Sequence, residues 1–225
     1  NVKLDMFIFQ PQGHRADDCR PAIVFFFGGG WRGGSPAQFA KQAEYFASRG
    51  MVAMVADYRV SSRHGTKAMQ CVADGKSAIR WVREHAGKLG VDPQRIIASG
   101  GSAGGHIAAC TGVVPGMDEE GENLQVSSRP NAMVLFNPVL VLAPIDGKNI
   151  LGDRGQSMKD RVGCEPVKIS PYHHIKQGQP PSIIFFGTDD IFLQGAEHFA
   201  TAAALVGNRC ELLTWEGLKH GFFNF

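Results

Sequence analysis

Apolar positions along this chain follow two alternating rhythms. Short runs rich in β-branched and aromatic residues stand at Ala22–Phe27, Met51–Ala56, Arg95–Ser99, Ala132–Phe136, Ser182–Gly187 and Cys210–Trp215, with another at Val2–Phe9. Most are too continuously apolar for a sheet with one wet face, so they predict strands buried on both sides. Between them, the amphipathic or Ala-rich spacing of Pro36–Ser48, Lys67–Ala86, Ala103–Val113 and Leu193–Val206 predicts helices. Pro36 behind Ser35 supplies a start signal and Gly50 behind Arg49 a stop. Strand and helix alternate, which predicts an α/β fold with a mainly parallel sheet and helices on both faces.

One segment breaks the rhythm. Between Phe136 and Ser182 the chain carries Pro138, Pro144, Gly147, Gly152, Gly155, Gly163 and Pro166. A crossover of roughly 40 residues in a compact domain is usually functional or disordered. Within it, Ile150–Val162 predicts a short helix with Leu151, Met158 and Val162 turned inward. The stretch 139–179 is expected to be a cap inserted into a single domain spanning residues 1–225.

Composition narrows the function classes. A length of 225 residues with 44% hydrophobic and 20% charged residues suits one domain with a full core. The net charge of +2 is near balance and no Lys/Arg run stands out, so nucleic acid and anionic membrane surfaces are not expected partners. A small, roughly neutral substrate is expected instead. No apolar run approaches bilayer length. The five cysteines are odd in number and lack C-x-x-C spacing, which argues against a disulfide framework and against zinc and assigns them to packing. The chain opens on Asn1, which a cleaved leader and a trimmed parent chain explain equally well, so localisation stays open between cytoplasmic and secreted.

The chemistry gathers around Ser99-Gly100-Gly101-Ser102-Ala103-Gly104-Gly105, where Ser102 occupies a G-x-S-x-G frame between a predicted strand and a predicted helix. A strand that reverses sharply into a helix leaves the serine hydroxyl at the turn tip, the nucleophile-elbow arrangement. A serine needs a base, and the base needs a group that fixes its tautomer. Of eight histidines, His220 lies in a Gly-flanked loop after the last predicted strand. The acid is sought after the preceding strand, where Asp189 and Asp190 stand side by side; sequence alone leaves both open, and either would serve as a helix N-cap. Phe27-Gly28-Gly29-Gly30-Trp31 offers bare backbone N–H groups for an oxyanion, and Ala103, next after the serine, offers another.

Rival patterns in the chain lack the context they need. Gly28-x-Gly30-x-x-Gly33 with Asp57 after the next strand satisfies a dinucleotide-binding fingerprint on paper, yet Trp31 and Arg32 crowd the turn and Pro36 delays the helix. His106, four residues past Ser102, is expected to be a packed helix residue. His173 and His174 lack a third ligand at metal spacing. Asp57 and Arg59 are expected to tie loops, and Asp74 to have a structural role. Trp31, Phe192 and Phe222 flank the candidate loops and are expected to wall the substrate pocket.

Taken together, the Gly28-Gly29-Gly30-Trp31 loop, Asp57-Tyr58-Arg59, Gly90-Val91-Asp92-Pro93, the Gly-Gly-Ser-Ala-Gly-Gly elbow, Gly187-Thr188-Asp189-Asp190 and His220-Gly221-Phe222 resemble the α/β-hydrolase esterases. The likeness is to their hormone-sensitive-lipase-like and acetyl- or feruloyl-type carbohydrate esterase branches. It implies an α/β-hydrolase fold and a cofactor-free serine carboxylesterase acting on small-acyl esters, including those of carbohydrates. It places the acid on Asp190 and the N–H donors on Gly29 and Gly30. The pattern departs from the family where Phe27 and Phe186 replace a common histidine and where Gly101 replaces the usual aspartate. The resemblance also implies a further helix beyond Phe225. Alternatives are a peptidase or other acyl hydrolase, or a hydrolase-fold protein that binds without catalysis.

Overall fold

The computed structural model describes residues 2–152 and 154–224, with side chains outside 154–157. Asn1, Asp153 and Phe225, which the expected domain limits and insertion helix include, lie outside the described residues. Among the described residues seven strands form one sheet: β1 (Met6–Phe9), β2 (Arg20–Phe26), β3 (Val52–Ala56), β4 (Val91–Gly101), β5 (Ala132–Phe136), β6 (Ser182–Gly187) and β7 (Cys210–Trp215). Their order is β1-β3-β2-β4-β5-β6-β7, with β1 antiparallel and the rest parallel. The helices are α1 (Ala40–Ser48), α2 (Ser61–His64), α3 (Ala68–Glu84), α4 (Ala86–Leu89), α5 (Ala103–Val113), α6 (Arg154–Val162) and α7 (Leu193–Leu205). This is the α/β-hydrolase fold that the resemblance implied.

Three of the boundaries that differ from the sequence expectation do so for a physical reason visible in the pairing or the turn. The first strand is confined to Met6–Phe9 because it pairs only along the short β3. Strand β4 starts at Val91, because Val91 pairs with Arg20 ahead of a register shift that accommodates the Pro93 region. The helix expected from Pro36 begins as a 3₁₀ turn over Pro36–Phe39 before α1.

The core centres on α5. Every residue from Ala103 to Val113 is buried, because the helix packs against β4 and β5 on one side and against α3 and the insertion elsewhere. Its small residues let backbones close up. A Cβ on Gly104 would overlap the carbonyl oxygens of Phe26 and Phe27, so glycine there sets how tightly α5 seats on the end of β2. Neighbouring residues of a strand face opposite sides of a sheet. At the end of β4, Gly100 faces Gly104 of α5 and Gly101 faces the Phe223 ring.

The insertion is tied to this core rather than hanging from it. Leu151, Met158 and Val162 are buried as their spacing predicted. His106, wholly buried in α5, donates Nε2–H to the carbonyl of Ile169 at 2.7 Å. His173 reaches Ser170 Oγ and the Pro144 carbonyl, and His174 the Val167 carbonyl, so both serve the insertion's own structure.

Two predictions follow from this packing. Gly104→Ala should cost about 3 kcal/mol or more by overpacking, whereas Gly87→Ala, where a Cβ meets nothing within 4 Å on α4, should be neutral or stabilising by up to about 1 kcal/mol. Urea unfolding of the two variants checks the contrast, and equal effects contradict it. Burial lowers the His106 pKa to about 4, against about 6.5 for a free imidazole. The unfolded chain therefore takes up a proton that the folded protein refuses. Stability is full above about pH 6.5 and is lost as pH falls towards 4, by about 3 kcal/mol for this group. His106→Gln, which keeps a donor for Ile169, should lose about 2 kcal/mol less than wild type between pH 7.5 and 4.5 in urea titrations; an equal loss contradicts the assignment.

Candidate active site

The strand order fixes where a site can form. From β2 the chain passes to β3 on one side and then crosses to β4 on the other, so the connections leaving β2 and β4 diverge at their carboxyl ends. Open α/β sheets form a crevice at such a switch point. Here the β2 exit is the Gly28–Trp31 loop and the β4 exit is Ser102.

Ser102 has φ 54° and ψ −117°, a conformation L-residues rarely adopt and one that costs about 1–3 kcal/mol. It is held by its own N–H, which donates to the Phe136 carbonyl at 2.9 Å, and by its carbonyl, which accepts the His106 N–H at 2.9 Å. The hydroxyl is thereby carried clear of both backbones. Its Oγ lies 2.8 Å from His220 Nε2, and His220 Nδ1 lies 2.8 Å from Asp190 Oδ2. The Asp190 side chain is fully buried while the imidazole is 31% exposed.

Asp190 rather than Asp189 reaches the imidazole because the turn after β6 points the two side chains apart. The Asp190 N–H bonds the Gly187 carbonyl, and Oδ1 accepts the Phe192 N–H at 2.9 Å, leaving Oδ2 for His220. Asn137, after β5, also donates its side-chain Nδ2–H to Asp190 Oδ2. A carboxylate with these donors has its lone pairs fixed in direction. Asp189 instead bonds through its backbone N–H to the Leu218 carbonyl and so anchors the loop that carries His220.

The glycine loop is braced from two sides. Gly29 has φ 128°, and a Cβ there would collide with the Gly33 carbonyl, so only glycine closes this turn. Gln38 accepts the Gly28 N–H at 2.6 Å, and the Tyr58 hydroxyl donates to the Phe27 carbonyl at 2.6 Å with its ring stacked on Phe27. Gly29, Gly30 and Ala103 line one cleft with Ser102 and His220, of about 630 Å³. The Ala103 N–H belongs to the first turn of α5, where helix donors lack intrahelical partners. The loop contains no straight entry into a helix, which removes the dinucleotide pattern's structural context.

Of the expected pocket residues, Trp31 and Phe192 line the cleft, and Phe192 packs edge-on against the His220 ring. Phe222 does not line it. Its ring lies against Trp215, because Gly221 turns the chain so that Phe223 is directed inward. Phe223 stacks on Phe39 and fills the space over Gly101, which gives that glycine its reason: any Cβ would strike the ring. Gln42 donates to the Phe223 carbonyl and Gln38 to Asn224 Oδ1, clamping the His220 loop to α1 and the turn ahead of it. Met158 and Arg161 of α6 complete the wall.

Asn137, Gln38 and Phe223 were missed by sequence reasoning. Only Asn137 gave a signal, as a polar residue ending an apolar strand. Asp57 and Arg59 behave as expected: Asp57 pairs with Arg63, and Arg59 with Asp74 and Glu119. A second cleft of about 600 Å³ between β1 and α3 holds Asp57, Asp74, Arg80 and Trp81, and its Ser77 hydroxyl donates to the Ala73 carbonyl rather than to a base. Among the described residues no helix is long and apolar enough to cross a membrane.

Comparison with known proteins gives the family and the fold. The BD-FAE family model matches residues 6–200. Thermogutta terrifontis esterase 2, solved phosphonylated by sarin, is 56% identical with a TM-score of 0.96, over all of this chain and 83% of that one. The same esterase has been solved with butyrate bound, at a TM-score of 0.93. Carboxylesterase NlhH of Mycobacterium tuberculosis is 28% identical over 92% of this chain and 68% of its own length. A probable isoprenylcysteine alpha-carbonyl methylesterase of Arabidopsis thaliana is 30% identical over 89% of this chain, which spans 45% of that protein's length. The chain thus belongs to the BD-FAE family, within the α/β-hydrolase esterases and lipases.

Proposed function

We propose that this protein is a serine carboxylesterase that hydrolyses small-acyl esters, among them acetyl or feruloyl esters of carbohydrates, through an acyl-enzyme. The observation that carries the reading is the continuous hydrogen-bond chain from buried Asp190 through His220 to Ser102 Oγ. In this scheme His220 Nε2 takes the Ser102 proton as Oγ attacks the ester carbonyl, and Asp190 holds the imidazole in the tautomer with Nδ1–H. The N–H groups of Gly29, Gly30 and Ala103 receive the negative charge that develops on the carbonyl oxygen. His220 returns its proton to the departing alcohol, and a water activated by the same imidazole then releases the acid. Residues 139–179 act as a short cap that narrows the cleft through Val139, Met158 and Arg161. The butyrate-bound relative supports a short acyl group.

Ser102→Ala should lower kcat by roughly 10⁴-fold or more with the fold intact. Asp190→Asn, which favours the wrong imidazole tautomer, should cost roughly 10³- to 10⁴-fold, whereas Asp189→Asn should cost under about tenfold because that side chain only serves the turn. Steady-state hydrolysis of 4-nitrophenyl acetate, with circular dichroism to verify folding, checks the ranking. Retention of more than about a tenth of wild-type activity in Ser102→Ala would overturn the mechanism, and the reverse order of the two aspartates would move the acid to Asp189.

A further inference from the structure

Behind the wall of the cleft lies a second cavity of about 330 Å³, lined by Trp31, Arg32, Ser61, Thr66, Lys67, Asp160 and Arg161. The two spaces share Trp31, Arg32 and Arg161. Among the described residues no carboxylate lines the cleft itself. Arg161 also lies against the glycine loop: its Nη1 lies 3.1 Å from where a Cβ on Gly30 would stand. A guanidinium carries five N–H donors in a rigid fork, so it serves an incoming carboxylate while keeping other contacts.

Two buried polar atoms belong to the same wall. Trp31, 1% exposed, has its indole Nε1–H without an acceptor among the described residues, and Thr66 Oγ1 is likewise buried without a partner. Buried donors left unpaired are costly, and an unpaired group in a native protein calls for a ligand or water to satisfy it. The near-balance of charge over the whole chain pointed to a neutral substrate. The local field is different, since Arg32, Arg161 and Lys67 meet here with Asp160 the one acid among the described lining residues, and the Lys67 ammonium is engaged with the Asp160 main-chain oxygen at 2.7 Å.

We propose that the cavity behind Trp31 is a subsite for a carboxylate carried by the ester substrate, bound by Arg161 and Arg32 with the Trp31 indole N–H and the Thr66 hydroxyl as neutral partners. This rests on the serine esterase reading and narrows its substrate class to short anionic esters. Because Arg161 lies against the oxyanion loop, the charge sits only a few bonds from the reacting carbonyl. It belongs either to the acyl part, as in a hemiester of a short dicarboxylic acid, or to the alcohol part, as in an O-acyl hydroxy acid or uronate.

The test compares each acid with its neutral amide. Monoethyl succinate against ethyl succinamate probes the acyl side, and O-acetylglycolate against O-acetylglycolamide the alcohol side, with hydrolysis followed by pH-stat. In at least one pair, wild-type kcat/KM should favour the acid by roughly 10- to 100-fold at low salt, and the preference should shrink as ionic strength rises. Arg161→Gln and Arg32→Gln should each cut the acid-to-amide ratio at least fivefold, mainly through KM, and Thr66→Val should cut it less. Should one variant fail to fold, the other and the wild-type salt dependence carry the comparison. A ratio near one in both pairs, or a ratio that neither arginine substitution changes, overturns the proposal. Ethyl butyrate, run beside the four probes, separates the two readings: failure to hydrolyse any of the five esters overturns the esterase assignment, and hydrolysis without any acid preference overturns the carboxylate subsite alone.

Discussion

The close approach of three backbones around Ser102 is the constraint on which the site depends. The exits of β2 and β4 and the first turn of α5 meet where a single Cβ on Gly104 would separate them. Only with that approach does the chain at Ser102 stay in its positive-φ conformation, between the Phe136 carbonyl and the His106 N–H. A few kcal/mol of local strain persists only where the surroundings over-determine it. Here they do, because α5 is buried along its whole length. Strain at one residue is thus supported by the packing energy of a core helix.

The same economy extends outward from the sheet. Strand ends place Ser102, Asn137, Asp190 and His220 on four successive connections, and each is fixed by a bond to its neighbour's backbone or side chain. Gln38 joins two of the site's loops, since it accepts from the glycine loop and donates to Asn224 beyond His220. Displacement of the imidazole loop would therefore be felt at Gly28. His106 does the same for the insertion, coupling α5 to Ile169 through one buried bond.

Much of this was legible in the sequence because the governing signals are local. Strands buried on both faces write continuous apolar runs, as β3 does over its whole length and β2 over its last five residues, whereas β7 lies where its run lies but is an exposed edge. The elbow is legible because sharp reversal and close approach both demand small residues in a fixed frame. Asp189 and Asp190 could not be separated from spacing, since the choice is made by the turn's direction and by Asn137, a residue 53 positions away. Phe222 and Phe223 are alike in composition, and only the bend at Gly221 decides which faces Gly101. Arg161 was invisible as a cleft residue because its place is set by how the insertion folds back over the β2 loop, a contact without a periodic trace in the chain.

The most direct measurement of the central claim is covalent: reaction of the protein with paraoxon, followed by intact-mass and peptide mass spectrometry. A strained serine poised on a histidine should take up one diethylphosphoryl group per chain, on the peptide containing Ser102, with loss of ester hydrolysis in proportion to labelling. A protein that remains unlabelled while folded, or that carries the adduct on another residue while Ser102 stays free, would contradict the assignment of Ser102 as nucleophile.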